Sequence, residues 1–206
     1  MSDGTLFIIS APSGAGKTSM IQALLANNTN IQLSVSHTTR PQRDGEIDGQ
    51  HYHFISHDHF INMQTNGVFL ESADVFGNHY GTSGDWVKTK LSQGLDIILE
   101  IDWQGARQVR DTFPASVSIF ILPPSNQTLK ERLTNRGQDS EDVINSRMSA
   151  ATREISHYNE YNYLIINDEF ETAVSHLEKT IRAGRFNTNR QMHQHQPLLA
   201  SLLSNT

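Results

Sequence analysis

The sequence contains no cysteine. Disulfides and thiolate metal sites are therefore excluded, although this absence alone does not fix the compartment. No apolar run approaches the roughly 18 residues that a membrane-crossing helix requires. The short apolar stretch Leu6 to Ile9 has no basic segment before it, so the layout of a secretory leader is missing as well. There is no basic excess either. The formal net charge of −6 argues against a general nucleic-acid binder, while a local cluster of arginines would still suffice for a small anion. No internal repeat and no low-complexity tract interrupts the chain, although its tail is rich in Gln, Asn and His. Together these absences predict a cytoplasmic protein with neither membrane nor nucleic acid among its partners.

What is present is a chain of 206 residues, 36% hydrophobic and 18% charged, a globular composition with room for one core and inserted subdomains. Short apolar runs rich in β-branched residues alternate with helical segments. Strands are expected at Thr5 to Ser10, Leu33 to Ser36, Leu95 to Ile101, Val117 to Leu122 and Tyr163 to Ile166. Helices are expected at Ser19 to Ala26, Asp85 to Gln93, Gln127 to Arg136, Asp142 to Glu154 and Glu171 to Arg182. This alternation predicts an α/β fold, a parallel β-sheet flanked by helices, with ligands at the C-terminal ends of the strands. Between Thr38 and Thr82 the texture changes. Turn signals at Asp44-Gly45 and Asp48-Gly49, aromatic alternation over His51 to Phe54 and one short helix near His57 to Thr65 suggest a small, largely antiparallel insert.

The strongest local signal is Ala11, Pro12, Ser13, Gly14, Ala15, Gly16, Lys17 and Thr18, placed between an expected strand and an expected helix. Glycines let the backbone curl until several N–H groups face one anion, and the helix N-terminus adds partial positive charge. Lys17 is suited to the β- and γ-phosphates of ATP, and the Thr18 hydroxyl to Mg2+ as the metal ligand. The usual pattern begins with Gly where this chain has Ala11. An ordinary strand–turn–helix link with incidental glycines is the bland alternative. A phosphate loop indicates a nucleotide without specifying the reaction.

The acceptor must come from elsewhere. Arg40 and Arg43 follow a run of hydroxyls, and Tyr52, Glu71, Tyr80 and Thr82 come later. Planar guanidinium groups bind phosphate oxygens bidentately, while a carboxylate among hydroxyls suits a purine edge. On charge pattern alone, Arg40 and Arg43 could equally be a solvated surface pair.

The strings SVSHTTRPQRDGEIDGQHY, FLESADVFGNHYGTS, LEIDWQGARQVR, FILPPS, LKERLTNRGQDSEDVINSRM and IINDEF together resemble the guanylate kinase family, in its bacterial form, over about Thr5 to Arg185. That resemblance implies a P-loop kinase core with a mixed α/β acceptor-binding insert and a helical lid. It divides the chain into core with phosphate loop (1–37), GMP-binding insert (38–82), core (83–126), lid (127–148) and core with C-terminal tail (149–206). It implies direct Mg2+-assisted transfer from ATP to GMP, and to dGMP, in purine nucleotide metabolism. Arg40, Arg43, Tyr52 and Tyr80 would hold the GMP phosphate, and Ser36, Glu71 and Thr82 would read guanine. Asp102 would stand near the metal or the acceptor. The family usually has Asp-Ile-Asp where this chain has Glu100-Ile101-Asp102, and the resemblance assigns Glu100 no role. Arg132, Arg136 and Arg147 match the lid's phosphate-contacting arginines, and Asn167 matches the loop beside the adenine. On spacing alone the lid arginines read as solvated helix charges.

Two rivals carry different expectations. A kinase for another phosphorylated acceptor would not need Ser36, Glu71 and Thr82. A guanylate-kinase-like interaction module typically lacks an intact phosphate loop, whereas Gly14, Gly16, Lys17 and Thr18 stand here. In the tail, His193 and His195 without nearby carboxylates make a weak metal site. Leu198, Leu199, Leu202 and Leu203 suggest an amphipathic helix docking either on the body or on another subunit, which leaves a homo-oligomer open.

Overall fold

Leu6–Ser10 forms strand β1, and all of it is buried. A continuous apolar run must be covered on both faces, which places it inside a parallel sheet between helical layers. The computed structural model describes residues 4–75, 77–135 and 141–204. After β1 come α1 (Lys17–Ala26), β2 (Ile31–Leu33), β3 (His37–Thr38), β4 (His53–Phe54), α2 (His57–Thr65), β5 (Phe69–Val75) and β6 (Asn78–Ser83). The chain continues through α3 (Gly84–Ser92), β7 (Asp96–Glu100), α4 (Trp103–Thr112), β8 (Val117–Leu122), α5 (Asn126–Thr134) and α6 (Glu141–Ile155). It ends with a 3-10 turn at Tyr158–Glu160, β9 (Tyr163–Ile166), α7 (Phe170–Gly184), α8 (Thr188–Gln194) and α9 (Gln196–Leu203).

The main sheet has the order β2-β7-β1-β8-β9 with every pair parallel. Because side chains alternate along a strand, Phe7 and Ile9 enter one core with Leu24, Leu177 and Ile181 from α1 and α7. Leu6 and Ile8 enter the other with Val87, Leu91 and Val109 from α3 and α4. The expected parallel α/β architecture is thus present. The expected strand at Leu33 to Ser36 lies slightly earlier, at Ile31–Leu33, paired in parallel with β7.

A second sheet, β4-β3-β6-β5, is built from residues 37–83, where the change of texture suggested an insert. β5–β6 and β3–β6 are antiparallel, while the short pair β3–β4 is parallel. Helices α5 and α6 pack on each other through Leu129, Leu133 and Ala151, with Met148 and Ile155 at the edge. The buried carboxylate of Asp96 accepts from Thr5 N, Arg185 Nε and Arg190 Nη1, tying the chain after α7 to the base of the sheet. Helix α9 does form over the tail leucines, yet none of its residues is buried, so it does not dock on the body.

Candidate active site

The loop after β1 turns because Gly14 and Gly16 take φ values of +90° and +93°, the left-handed region that favours glycine. Ala15 N donates to Pro12 O at 3.0 Å, closing the turn. Gly16 is the N-cap of α1 and has no side chain to cap the helix, so the first-turn N–H groups stay available to an anion. The back of the loop leaves no room for larger residues. A Cβ on Gly16 would lie 2.4 Å from Asn167 Nδ2, and one on Gly14 would meet Leu129 and Leu133 at 3.0 Å. Asn167 is buried and donates to Ala15 O at 2.7 Å, so its amide braces the loop from behind. Arg132 in turn donates from Nη2 to Asn167 O at 3.2 Å.

Ala11, Pro12, Ser13, Gly14, Gly16, Lys17 and Thr18 face a cavity of about 300 Å3. Ala15 is fully buried behind it. Two carboxylates meet the loop there. Thr18 Oγ1 donates to Glu100 Oε1 at 2.6 Å, and Lys17 Nζ lies 3.9 Å from the same oxygen. Ser13 N donates to Glu154 Oε2 at 3.1 Å, and Arg147 Nη2 donates to Ser13 Oγ at 3.3 Å. Burial pushes the Glu154 carboxyl up, and the nearby Lys17 charge pulls it down. Arg136 lies outside the described residues.

The cavity's far wall is formed by Ser36, Tyr52, Glu71 and Tyr80, with Asp102 between β7 and α4. Glu71 and Thr82 are register partners on β5 and β6, so their side chains share a face. Thr82 Oγ1 donates to Glu71 Oε1 at 2.6 Å, and Ser36 Oγ lies 3.3 Å from Thr82 Oγ1. Only 3% of Glu71 is exposed. Burial raises its pKa to about 7, against the Thr82 hydrogen bond and with help from the Asp102 charge. A buried carboxyl beside a hydroxyl chain can accept from two parallel N–H groups once ionised. Asp102 also N-caps α4, accepting from Gly105 N at 2.9 Å and Gln104 Nε2 at 3.0 Å.

Arg40 and Arg43 line an adjoining cleft, which shares Thr18, Tyr52, Tyr80 and Glu100 with the first cavity. Glu46 aligns them: Oε1 accepts from Arg40 Nη2 at 2.7 Å and Oε2 from Arg43 N at 2.8 Å. The Arg40 guanidinium stands 5.4 Å from the Tyr52 ring centre. Burial first, then the Glu100 charge, lifts the Tyr52 phenol to about 12, so it remains a hydrogen-bond donor at neutral pH. Glu46 has the opposite shift: the Arg40 hydrogen bond holds it below the usual carboxylate range.

Two contributors, Glu154 and Gly105, are not legible in the sequence, and a third, Glu100, is named there without a role. Glu154 looks like any helix carboxylate, and only the fold brings it to Ser13. Glu100 departs from the family pattern, and only the parallel register of β1 and β7 sets it beside the loop. Gly105 carries no chemistry, yet a Cβ there would lie 2.5 Å from Glu71 Oε2. Its only sequence signal is a lone Gly between Gln104 and Ala106, which becomes informative once the segment is seen to be helical. Among the described residues, no group of three or more His, Cys, Asp or Glu forms a protein-only metal cluster.

The guanylate kinase family model matches residues 3–184. Guanylate kinase of Saccharophagus degradans is 56% identical over 201 residues, covering 98% of this chain and 98% of that protein. Guanylate kinase of Vibrio vulnificus is 54% identical over 206 residues, covering 99% and 100%. The crystal structure of guanylate kinase from Anaplasma phagocytophilum superposes with a TM-score of 0.78 at 34% identity, covering 92% of this chain and 90% of that one.

Proposed function

This chain belongs to the guanylate kinase family and transfers a phosphoryl group from ATP to GMP; we propose how its residues divide that reaction between a donor wall and an acceptor wall. The observation that supports this division is one cavity lined both by the phosphate loop and by the buried carboxyl of Glu71. A kinase for a phosphorylated sugar would have no reason to bury that carboxyl beside a hydroxyl chain.

On the donor side, the loop N–H groups and Lys17 hold the ATP phosphates, and Asn167 and Arg132 brace the loop from behind. On the acceptor side, Arg40, Arg43, Tyr52 and Tyr80 hold the GMP phosphate. Ser36 and Thr82 orient Glu71, whose carboxylate accepts from guanine N1–H and the exocyclic amine. Adenine presents no such donor pair, and leaving the buried carboxylate unpaired is strongly penalised. None of these contacts uses the ribose 2′-hydroxyl, so dGMP is a substrate of the same site.

The GMP phosphate dianion is already nucleophilic. Its oxygen forms the new bond to the γ-phosphorus as the bond to the ADP oxygen breaks in line, and no proton has to be removed. Arg147, Arg136 and Arg132 are assigned to the charge in transit, and Asp102 to the acceptor side of the cavity. Catalysis is then positioning and charge neutralisation. The Thr18 hydroxyl and the Glu100 carboxylate, 2.6 Å apart, are hard oxygen donors that fit Mg2+ held mainly by substrate phosphates. When bound, Mg2+ would supply charge neutralisation at the β- and γ-phosphate oxygens.

The insert (38–82) and the lid (127–148) are the proposed moving parts. The cytoplasm is the proposed compartment, because both substrates are highly charged nucleotides that do not cross a bilayer unaided. Among the described residues no helix is long and apolar enough to span one. Association of copies would fall to α9, whose leucines are exposed, and light scattering measures it.

A coupled ADP-release assay against GMP, dGMP, AMP, UMP and CMP tests the assignment. Turnover is expected with GMP and dGMP only; AMP used as well as GMP would defeat the acceptor reading. Lys17→Ala should lower kcat by about 10²-fold or more while leaving the melting temperature in place, since it removes charge rather than packing. Near-normal turnover in that folded variant would defeat the donor reading.

A further inference from the structure

One helix holds Ser13 of the phosphate loop twice. Its N–H donates to Glu154 and its hydroxyl accepts from Arg147. Both partners lie on α6, two turns apart and therefore on one face. Glu154 also lines the cavity that the loop opens into and lies within the field of Lys17. A carboxylate is thus placed on a backbone donor of a loop whose curvature gathers N–H groups for an anion.

We propose that Glu154 is a stand-in anion: in the nucleotide-free chain it docks α6 on the phosphate loop, and the phosphates of ATP displace it. The inference rests on the reading of ATP as donor. A loop shaped for a polyanion would leave the Ser13 N–H uncompensated when no nucleotide is bound, and a half-buried donor without a partner is costly. The Glu154 carboxylate supplies that partner. The phosphates need the same region, and two like charges cannot share a desolvated site. Displacement then frees α6 to re-dock over the nucleotide, with Arg147 turning from Ser13 towards the phosphates. Part of the affinity for ATP is spent on releasing the lid helix, which ties lid movement to occupancy of the loop.

The opposite possibility makes a distinct prediction. If Glu154 merely supports the loop in its working shape, removing it must weaken nucleotide binding. Titration calorimetry with a non-hydrolysable ATP analogue and Mg2+ separates the two. Glu154→Ala should bind the analogue on the order of tenfold more tightly, about the size of one charge-assisted hydrogen bond no longer forgone. Glu154→Gln keeps the shape and one acceptor oxygen, so it should fold like the parent and bind more tightly by a smaller factor. GMP affinity should not change in either. Hydrogen exchange over 141–155 in the nucleotide-free variants should be faster than in the parent. Unchanged or weaker analogue binding in the folded Glu154→Gln protein overturns the proposal. If the unsubstituted chain binds GMP but not the analogue, the donor reading itself fails, and the inference with it.

Discussion

Glu71 is a carboxyl placed where water hardly reaches it, and its titration carries consequences that kinetics and calorimetry can read. Its folded pKa of about 7 lies above the ordinary 4.5, so the folded chain binds more protons than the unfolded chain between those values. The stability contributed by protonated Glu71 is present below about 4.5 and lost as pH rises through about 7. The loss is at most roughly 3 kcal/mol. Glu71→Gln should therefore flatten the pH dependence of the melting temperature over that window and leave the free chain more stable than the parent at alkaline pH. It should do so while lowering kcat/KM for GMP by about 10²-fold or more and leaving ATP binding intact, because the amide loses the charge and presents a donor towards another donor. GMP binding near pH 6 should release a proton from Glu71, since guanine pairs with the carboxylate. Calorimetry in buffers of different ionisation enthalpy measures the release. The phosphate of GMP contributes equally in parent and Glu71→Gln, so the difference between them isolates Glu71. If the two release the same number of protons, Glu71 does not meet the base. None of this was visible from Glu71 in isolation. The sequence placed a carboxylate in an insert, the family resemblance supplied its role, and only the register against Thr82 accounts for its burial.

Helix α4 shows where the sequence reading fell short at the level of elements. The long apolar strands were legible because burial on both faces leaves an unbroken hydrophobic run, and Val117–Leu122 falls where expected. Helices α1, α3, α5, α6 and α7 were legible from spacing, with Gly94 and Gly137 following α3 and α5 in the sequence, within a residue or two. Trp103–Thr112 was not anticipated as a helix. Its buried face is only Gly105, Ala106 and Val109, too small and too short to register as an apolar stripe. Its start signal, Asp102, was read for chemistry rather than as the N-cap it also is. The small face has a purpose: it lets α4 lie close against β5, where Gln108 Nε2 donates to Ser72 O at 2.8 Å and Gln108 Oε1 accepts from Ser72 N at 3.0 Å. The helix therefore carries the back wall of the proposed guanine site. Gly105→Ala tests this. Alanine favours the helix by about 1 kcal/mol over glycine, so a purely local view predicts stabilisation. The added methyl instead lies in the space of Glu71 Oε2 and must displace it. A displacement on the 1 Å scale costs on the order of 10²-fold in rate, so kcat/KM for GMP should fall steeply while the KM for ATP holds. Combined with Glu71→Gln, the second substitution should add far less than it does alone, because both act on one contact. Independent, additive effects would mean that α4 does not position Glu71.

For the molecule as a whole, the unequal division of space argues for motion. The shared cavity measures about 300 Å3, at the lower limit for ligand pockets, and the arginine cleft of about 500 Å3 opens beside it. Two nucleotides meeting phosphate to phosphate need both spaces joined and water excluded, since an open site lets water compete for the phosphoryl group and weakens every charge interaction in it. The two walls belong to different parts of the chain. The proposed insert meets α4 through Ser72 and Gln108, and the proposed lid reaches the loop through Arg147 on Ser13 and Arg132 on Asn167. Each is therefore expected to swing separately. The two glycines at the exit of the 38–82 segment differ in what surrounds them. A Cβ on Gly81 would lie 2.9 Å from the Phe69 ring, so close packing already accounts for that residue, whereas Gly84 heads α3 where the insert rejoins the core, and Pro123-Pro124 lead from β8 to the lid. GMP should draw in mainly the insert, because its proposed ligands lie there, and ATP mainly the lid. Full closure should require both sites filled, as by a non-reacting bisubstrate analogue. Small-angle scattering at constant oligomeric state should then give radii of gyration that fall in the order free chain, GMP-bound chain, analogue-bound chain. Superimposable curves for the free and doubly occupied protein would rule out closure on this scale. The reaction would then have to proceed in an open cleft, and the lid arginines would lose their proposed access to the charge in transit.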